Sequence, residues 1–192
     1  MKVIVGLGNP GAEYAATRHN VGWWFLDLLQ QDWRFTKFRR DGNAVTAEGR
    51  FEDQDVLLVK PQTYMNRSGS AVARLLFDPD VRVAEDLLVV VDDVALPIGR
   101  ARIRPRGTAG GHNGLKSIEA SLRSQEYPRL RIGVDEAPPG IDRADWVLGT
   151  FAPEEEEAVR KLLPKLVTVA GTWITAGVEE ASRRLGSGNG PT

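Results

Sequence analysis

Three short apolar runs, each followed by a polar residue just past its end, constrain the fold of this chain most. Lys2 to Val5 is a β-branched run closed by Gly6 and followed by Asn9. Val56 to Val59 is stopped by Pro61 and followed by Asn66, and Leu87 to Val91 leads directly into Asp92-Asp93. Continuous apolar runs of this length, bounded by turn residues, read as strands buried on both faces. Helical patterns lie between them, so the class is α/β: a single domain with a mixed, mostly buried β-sheet flanked by helices on both faces. Sites in such sheets lie beyond the carboxyl ends of the strands, which directs Asn9, Asn66 and Asp92 to one edge.

The remaining elements follow the same signals. Asn20 is a capping residue for a helix over Val21 to Gln31, with Val21, Phe25, Leu28 and Leu29 inward. Arg34 to Phe38 and Val45 to Phe51 read as strands around an Asp41-Gly42 turn. Ser68 to Leu76 and Leu115 to Leu122 are helical, while Arg100 to Arg104 and Leu130 to Val134 are extended. Pro153 suits the first position of a helix whose Glu154 to Glu157 face its positive end. Pro164 is expected to kink or break that helix, which resumes to about Leu185. Residues 1–185 form the expected domain, and 186–192 a frayed Gly/Ser/Pro tail.

At 192 residues the chain fits one domain, by the usual prior of about 100–200 residues. A net charge of −1 provides no global field toward nucleic acid or membrane, so any polyanion site must come from local clustering. With no cysteine, disulfides, thiolate metal sites and cysteine nucleophiles are excluded. No signal peptide and no membrane span is legible, and the expected location is the cytoplasm.

Chemistry concentrates around the two histidines, His19 and His112, which sit beside Asn20 and Asn113 in glycine-rich sequence. Imidazole exchanges protons near neutral pH, and asparagine offers an uncharged donor and acceptor. Asp92 is placed to bind one ring nitrogen of His19 and raise the basicity of the other, while one of Asp92 and Asp93 serves only a turn. Gly6-x-Gly8-x-x-Gly11 matches a dinucleotide fingerprint literally, but Pro10 and the late helix start at Val21 argue against it. No Gly-x-Ser-x-Gly elbow is present, and two distant histidines make a poor zinc set. A histidine-activated water acting on an ester is the simplest remaining chemistry.

Arg100, Arg102, Arg104 and Arg106 alternate with period two, which on a strand forms a positive stripe with no acidic residue between its members. Phosphate contact is the expectation, with Arg129 and Arg131 extending the stripe. The five tryptophans are scattered, with Trp23 and Trp24 expected at the core boundary rather than stacked on bases.

These residues resemble the bacterial-type peptidyl-tRNA hydrolase family. The matching pieces are Val5 to Gly11, Tyr14, Thr17 to Gly22, Lys60 to Gly69, Asp92-Asp93, Gly107 to Ser117, Arg129 to Gly133 and Val147 to Phe151, in order along nearly the whole chain. The resemblance implies cleavage of the ester between a peptide and the 3′ end of tRNA, with no metal and no cofactor. It implies His19 as base and Asp92 as its orienting carboxylate. Asn9 and Asn66 would bind substrate or water, and Asn113 would position water or the peptide backbone. Tyr14 and Met65 would line the site, and Arg104 and Arg131 would clamp a tRNA phosphate. His112 is left as supporting structure or site wall. A monomer is expected. A non-catalytic RNA-binding factor on the same scaffold is the competing reading. Two departures stand out: Asp93-Val94-Ala95-Leu96-Pro97 loses an acid, and Asp135-Glu136 follows Val134 where relatives carry a glycine and a basic residue.

Overall fold

The computed structural model describes residues 1–187. Seven strands form one mixed sheet: β1 (Lys2–Gly6), β2 (Arg39–Asp41), β3 (Ala44–Phe51), β4 (Gln54–Pro61), β5 (Leu87–Asp93), β6 (Ala101–Arg104) and β7 (Arg129–Gly133). Their order is β2-β3-β4-β1-β5-β7-β6. The central strands β4, β1, β5 and β7 are parallel, and antiparallel partners close both edges. The carboxyl ends of β1, β4 and β5 therefore share one edge, as their apolar runs predict.

Helices α1 (Val21–Asp32), α6 (Pro153–Ala176) and α7 (Val178–Ser187) cover one face. There Phe25, Leu29, Leu166 and Trp173 pack on Ile4, Leu88, Val90 and Leu130. On the other face α2 (Ser68–Val72) and α4 (Asn113–Leu122) bring Ala71, Val72, Leu115 and Ile118 onto Val3, Val5, Val89 and Val91. Two short helices, α3 (Val83–Asp86) and α5 (Arg143–Val147), complete the set among the described residues. No described helix is long and apolar enough to cross a membrane.

Four expectations need correction. The strand read at Arg34 to Phe38 is instead the exit from α1. Arg34 takes a left-handed φ of 54°, and Phe35 drops into the core against Gly49. Aromatics that mimic strand alternation are here a helix end and an anchor, and β2 forms only at Arg39. Pro164 does not break α6, because Leu162, Leu163 and Leu166 around it are buried and their packing offsets the lost backbone bond. The interruption falls at Gly177, with a φ of 87°. The helix from Ser68 is α-helical only to Val72 and tightens to a 3-10 turn over Ala73–Phe77. Asn20 adjoins α1 without capping it. Of the expected tail, Gly186 and Ser187 close α7, and residues 188–192 lie outside the described residues.

Close backbone contact fixes α2 against α4. Gly69 donates its N–H to Ser117 Oγ at 2.9 Å, and a Cβ there would overlap the Ser117 carbonyl oxygen. Gly69→Ala is expected to cost about 1–3 kcal/mol of unfolding free energy, measured by urea denaturation with an unchanged m-value.

Candidate active site

Asp92, 2% exposed, lies at the carboxyl end of β5 and accepts from both histidines. His19 Nδ1 is 2.8 Å from each carboxylate oxygen, and His112 Nε2 is 2.8 Å from Oδ1. An ionised carboxylate only accepts, so both of these ring nitrogens carry the proton. His112 Nδ1 in turn accepts the backbone N–H groups of Gly114 and Leu115 at 3.1 and 3.3 Å, capping α4. His112 is therefore a neutral imidazole with both nitrogens engaged. His19 Nε2 has no hydrogen-bond partner among the described residues, and the ring borders the cleft.

The electrostatics agree with these tautomers. Burial opposes ionisation of Asp92 most strongly, yet the pull and hydrogen bonds of His19 and His112 outweigh it and hold the carboxyl far below its ordinary range. Burial also pushes His19 down, but Asp92 overcomes it and leaves the imidazole above its ordinary value, with Arg143 opposing. For fully enclosed His112 burial wins and the value falls, aided by His19 and Arg131. One carboxylate thus raises both histidines, and the deeper burial of His112 sets the two apart in basicity.

His19 is the middle residue of a 3-10 turn, Arg18–Asn20, whose three side chains are all buried. Asn20 Oδ1 accepts the Asn9 N–H at 2.9 Å, and its Nδ2 donates to the Asn9 carbonyl at 3.0 Å. Asn9 Oδ1 accepts the Met65 N–H at 2.8 Å, which aims the Asn9 amide Nδ2 at the cleft. Asn66 and Asn113 are exposed at the rim. Two adjoining cavities share His19, Asn113, Ala144 and Val147. One, of about 270 Å³, adds Asn9, Tyr14, Tyr64, Met65, Asn66 and Leu148. The other, of about 220 Å³, adds Asp92, His112, Asp142 and Arg143. The structure thus gathers His19, Asp92, Asn9, Tyr14, Met65, Asn66 and Asn113 in one cleft.

Sequence reasoning missed several members. It reads His112 as supporting structure or site wall, and the structure specifies that support: His112 holds Asp92 from the α4 side. It read Asn20 as a cap, whereas Asn20 fixes Asn9. It also missed α5, whose Ala144 and Val147 wall both cavities. Arg18 stacks on Trp146 with Cζ 3.5 Å from the ring centroid, an interaction worth about 2 kcal/mol when desolvated.

The arginine stripe is more divided than its sequence pattern. Arg102 pairs in register with Arg131 and Arg104 with Arg129, so the four share one sheet face. Arg102 and Arg104 are exposed and have no ion-pair partner among the described residues. Arg106 does have one, Glu126 at 3.4 Å. Arg129 is buried, stacked 4.2 Å over Tyr127, and so leaves the stripe. Arg131, with its side chain 15% exposed, donates to the Thr108 carbonyl at 2.7 Å and lies 3.8 Å from Asp93. Asp93 otherwise accepts the Ala95 N–H in the expected turn. Asp135 does not face the stripe: its carboxylate accepts the Ile98 N–H at 2.8 Å.

The ligating atoms of His19, Asp92 and His112 lie within 4.8 Å of one another, so histidines distant in sequence do meet in space. Their separations of 2.8 Å are hydrogen-bond lengths, shorter than the spacing of two ligands on a tetrahedral ion about 2.0–2.2 Å from each. With His112 Nδ1 occupied by two backbone donors, this cluster suits proton exchange better than metal binding.

The cleft places a histidine, a buried carboxylate and side-chain amides together in an α/β fold, and the relatives of this chain make it a hydrolase rather than a pure RNA binder. The chain belongs to the peptidyl-tRNA hydrolase family, whose sequence profile matches residues 3–190. It is 50% identical over 189 residues to the peptidyl-tRNA hydrolase of Gemmatimonas aurantiaca, covering 97% of this chain and 100% of that one. The Chloroflexus aurantiacus peptidyl-tRNA hydrolase is 45% identical over 184 residues, covering 96% and 98%. The crystal structure of peptidyl-tRNA hydrolase from Acinetobacter baumannii superposes with a TM-score of 0.90 at 32% identity, covering 96% of this chain and 94% of that one.

Because Asp92 favours the imidazolium of His19, this group's contribution to stability is complete below about pH 6.5 and is lost as pH rises through its higher folded value. An NMR titration should place the His19 midpoint above 6.5 and show it falling in Asp92→Asn, with His112 remaining neutral across the same range.

Proposed function

We propose that His19 is the general base of this hydrolase, acting on the ester that joins a peptide to the 3′-terminal ribose of tRNA. The observation that carries the reading is the tautomer: with Nδ1–H donated to Asp92, His19 Nε2 is the lone pair facing the cleft. His19 Nε2 takes a proton from a water whose oxygen attacks the ester carbonyl carbon. The tetrahedral intermediate collapses by breaking the bond to the ribose oxygen, which receives the proton from the imidazolium. A free peptide acid and a tRNA with a free 3′-terminal hydroxyl result. Asp92 holds the tautomer and stabilises the transient cation.

Asn9 donates through Nδ2 to the developing oxyanion or to the peptide, a role supported by the Met65 N–H that fixes its orientation. Asn66 and Asn113 hold water and peptide backbone at the rim, Met65 and Tyr14 line the cleft, and Tyr14 lies toward the tRNA terminus. Arg104 and Arg131 bind tRNA phosphate, a role that the exposure of Arg104 supports. In this reading residues 1–185 form one catalytic domain that acts as a monomer, since one chain supplies every group. The cytoplasm is its place, where translation makes the substrate.

Release of peptide from an N-acylated aminoacyl-tRNA tests the reading. His19→Ala should lower kcat by about 10²–10⁴-fold with tRNA binding retained, and EDTA should leave the wild type unchanged. Equal loss of turnover and binding would remove His19 as the base. Arg104→Ala should raise KM and reduce the slope of log affinity against log salt by about one contact; an unchanged slope would make that arginine a solvated edge.

A further inference from the structure

Helix α5 walls both halves of the cleft, yet little within the helix itself accounts for its place. It has five residues, and Asp142 before it makes no side-chain cap bond. Helices this short draw their position from tertiary contacts. The segment leading into it, Glu136 to Asp142, is largely exposed and turns at Gly140, with a φ of 85°.

Arg143 holds the start of the helix to the Gly110 carbonyl at 2.9 Å, and Arg18 supplies the restraint at the other end. Its guanidinium lies 3.5 Å from the Trp146 ring centroid and 5.4 Å from that of Phe151, and Nη1 donates to the Trp146 carbonyl at 3.2 Å. Its backbone N–H donates to the Gly149 carbonyl at 3.0 Å. A Cβ at Gly149 would stand 2.8 Å from Nη1, so the backbone closes down directly on the guanidinium. Trp146 Nε1 then donates to the Asp135 carbonyl at 2.8 Å, and Asp135 is itself held by Ile98. The stack thus ties both ends of the segment from Asp135 to Thr150 to the turn that carries His19.

We propose that Arg18 is a positioning residue that, through its stack on Trp146, sets the height of α5 over the cleft and so the fit of the peptide arm of the substrate. The proposal rests on the cleft being the substrate site. It separates Arg18 from the proton chemistry next door, since Asp92 alone fixes the His19 tautomer. Only a flat guanidinium both covers the ring and bonds the carbonyl behind it, so lysine is not an equivalent.

The test compares Arg18→Met, Trp146→Leu, Trp146→Phe and the Arg18→Met/Trp146→Leu double variant on N-acylaminoacyl-tRNA, beside amide hydrogen exchange of the free proteins. Arg18→Met and Trp146→Leu should each raise KM about tenfold, with kcat and the acid-limb midpoint nearly unchanged. The double variant should be no worse than either alone, Trp146→Phe should stay close to wild type, and faster exchange should be confined to residues 143–149. Additive effects, a loss in kcat with a moved midpoint, or unchanged exchange would overturn the proposal. If Arg18→Met does not fold, the contrast between Trp146→Leu and Trp146→Phe decides, and equal KM values for the two would overturn it. Exchange is read without substrate, so inactivity of the wild type would reject the proposed reaction and leave the stack still testable.

Discussion

The site depends on one costly act, the removal of the Asp92 carboxylate from water. A buried charge persists only if its lone pairs are satisfied, and here two imidazoles reach it from opposite layers of the sheet. His19 arrives on the turn that leads into α1, and His112 arrives on the loop that leads into α4. The same carboxylate therefore joins the two helical layers at the open edge of the sheet. Its demand for donors also decides which nitrogen of each ring carries a proton, so the chemistry of the cleft follows from the packing beneath it.

Much of this was legible in the chain because strand ends are marked by local composition. Leu87 to Val91 can only be an interior strand, and Asp92 must then stand at its end. What was not legible depends on partners distant in sequence. Asn20 looks like a cap because asparagine beside a helix usually caps, but Asn9 offers it both a donor and an acceptor. Pro164 looks like a break because the lost hydrogen bond is local, while the burial that offsets it is not. The supporting place of His112 is legible but its partners are not, because histidine is an uncommon cap and its second bond crosses to another element. The wall formed by α5 left even less trace, since five residues carry too short a period to read.

Charge is apportioned with similar economy. The chain is nearly neutral overall, so a field for polyanions has to be made locally. Of the arginines on one face of β6 and β7, those on the edge strand face solvent, and those on β7 turn inward to the Thr108 carbonyl that begins the glycine loop. Identical side chains on one sheet face thus divide: Arg102 and Arg104 are exposed, Arg129 is buried, and Arg131, partly exposed and anchored to the Thr108 carbonyl, stands between them.

Arg18, His19 and Asn20 occupy a single tight turn and point three ways, to Trp146, to Asp92 and to Asn9. A 3-10 turn has little slack, so a backbone shift that retuned one of these contacts would disturb the other two. Tyr64 and Leu148 stand exposed on the lip of the cleft, outside that shared geometry, so side chains there can change without disturbing the three-residue hub beneath them.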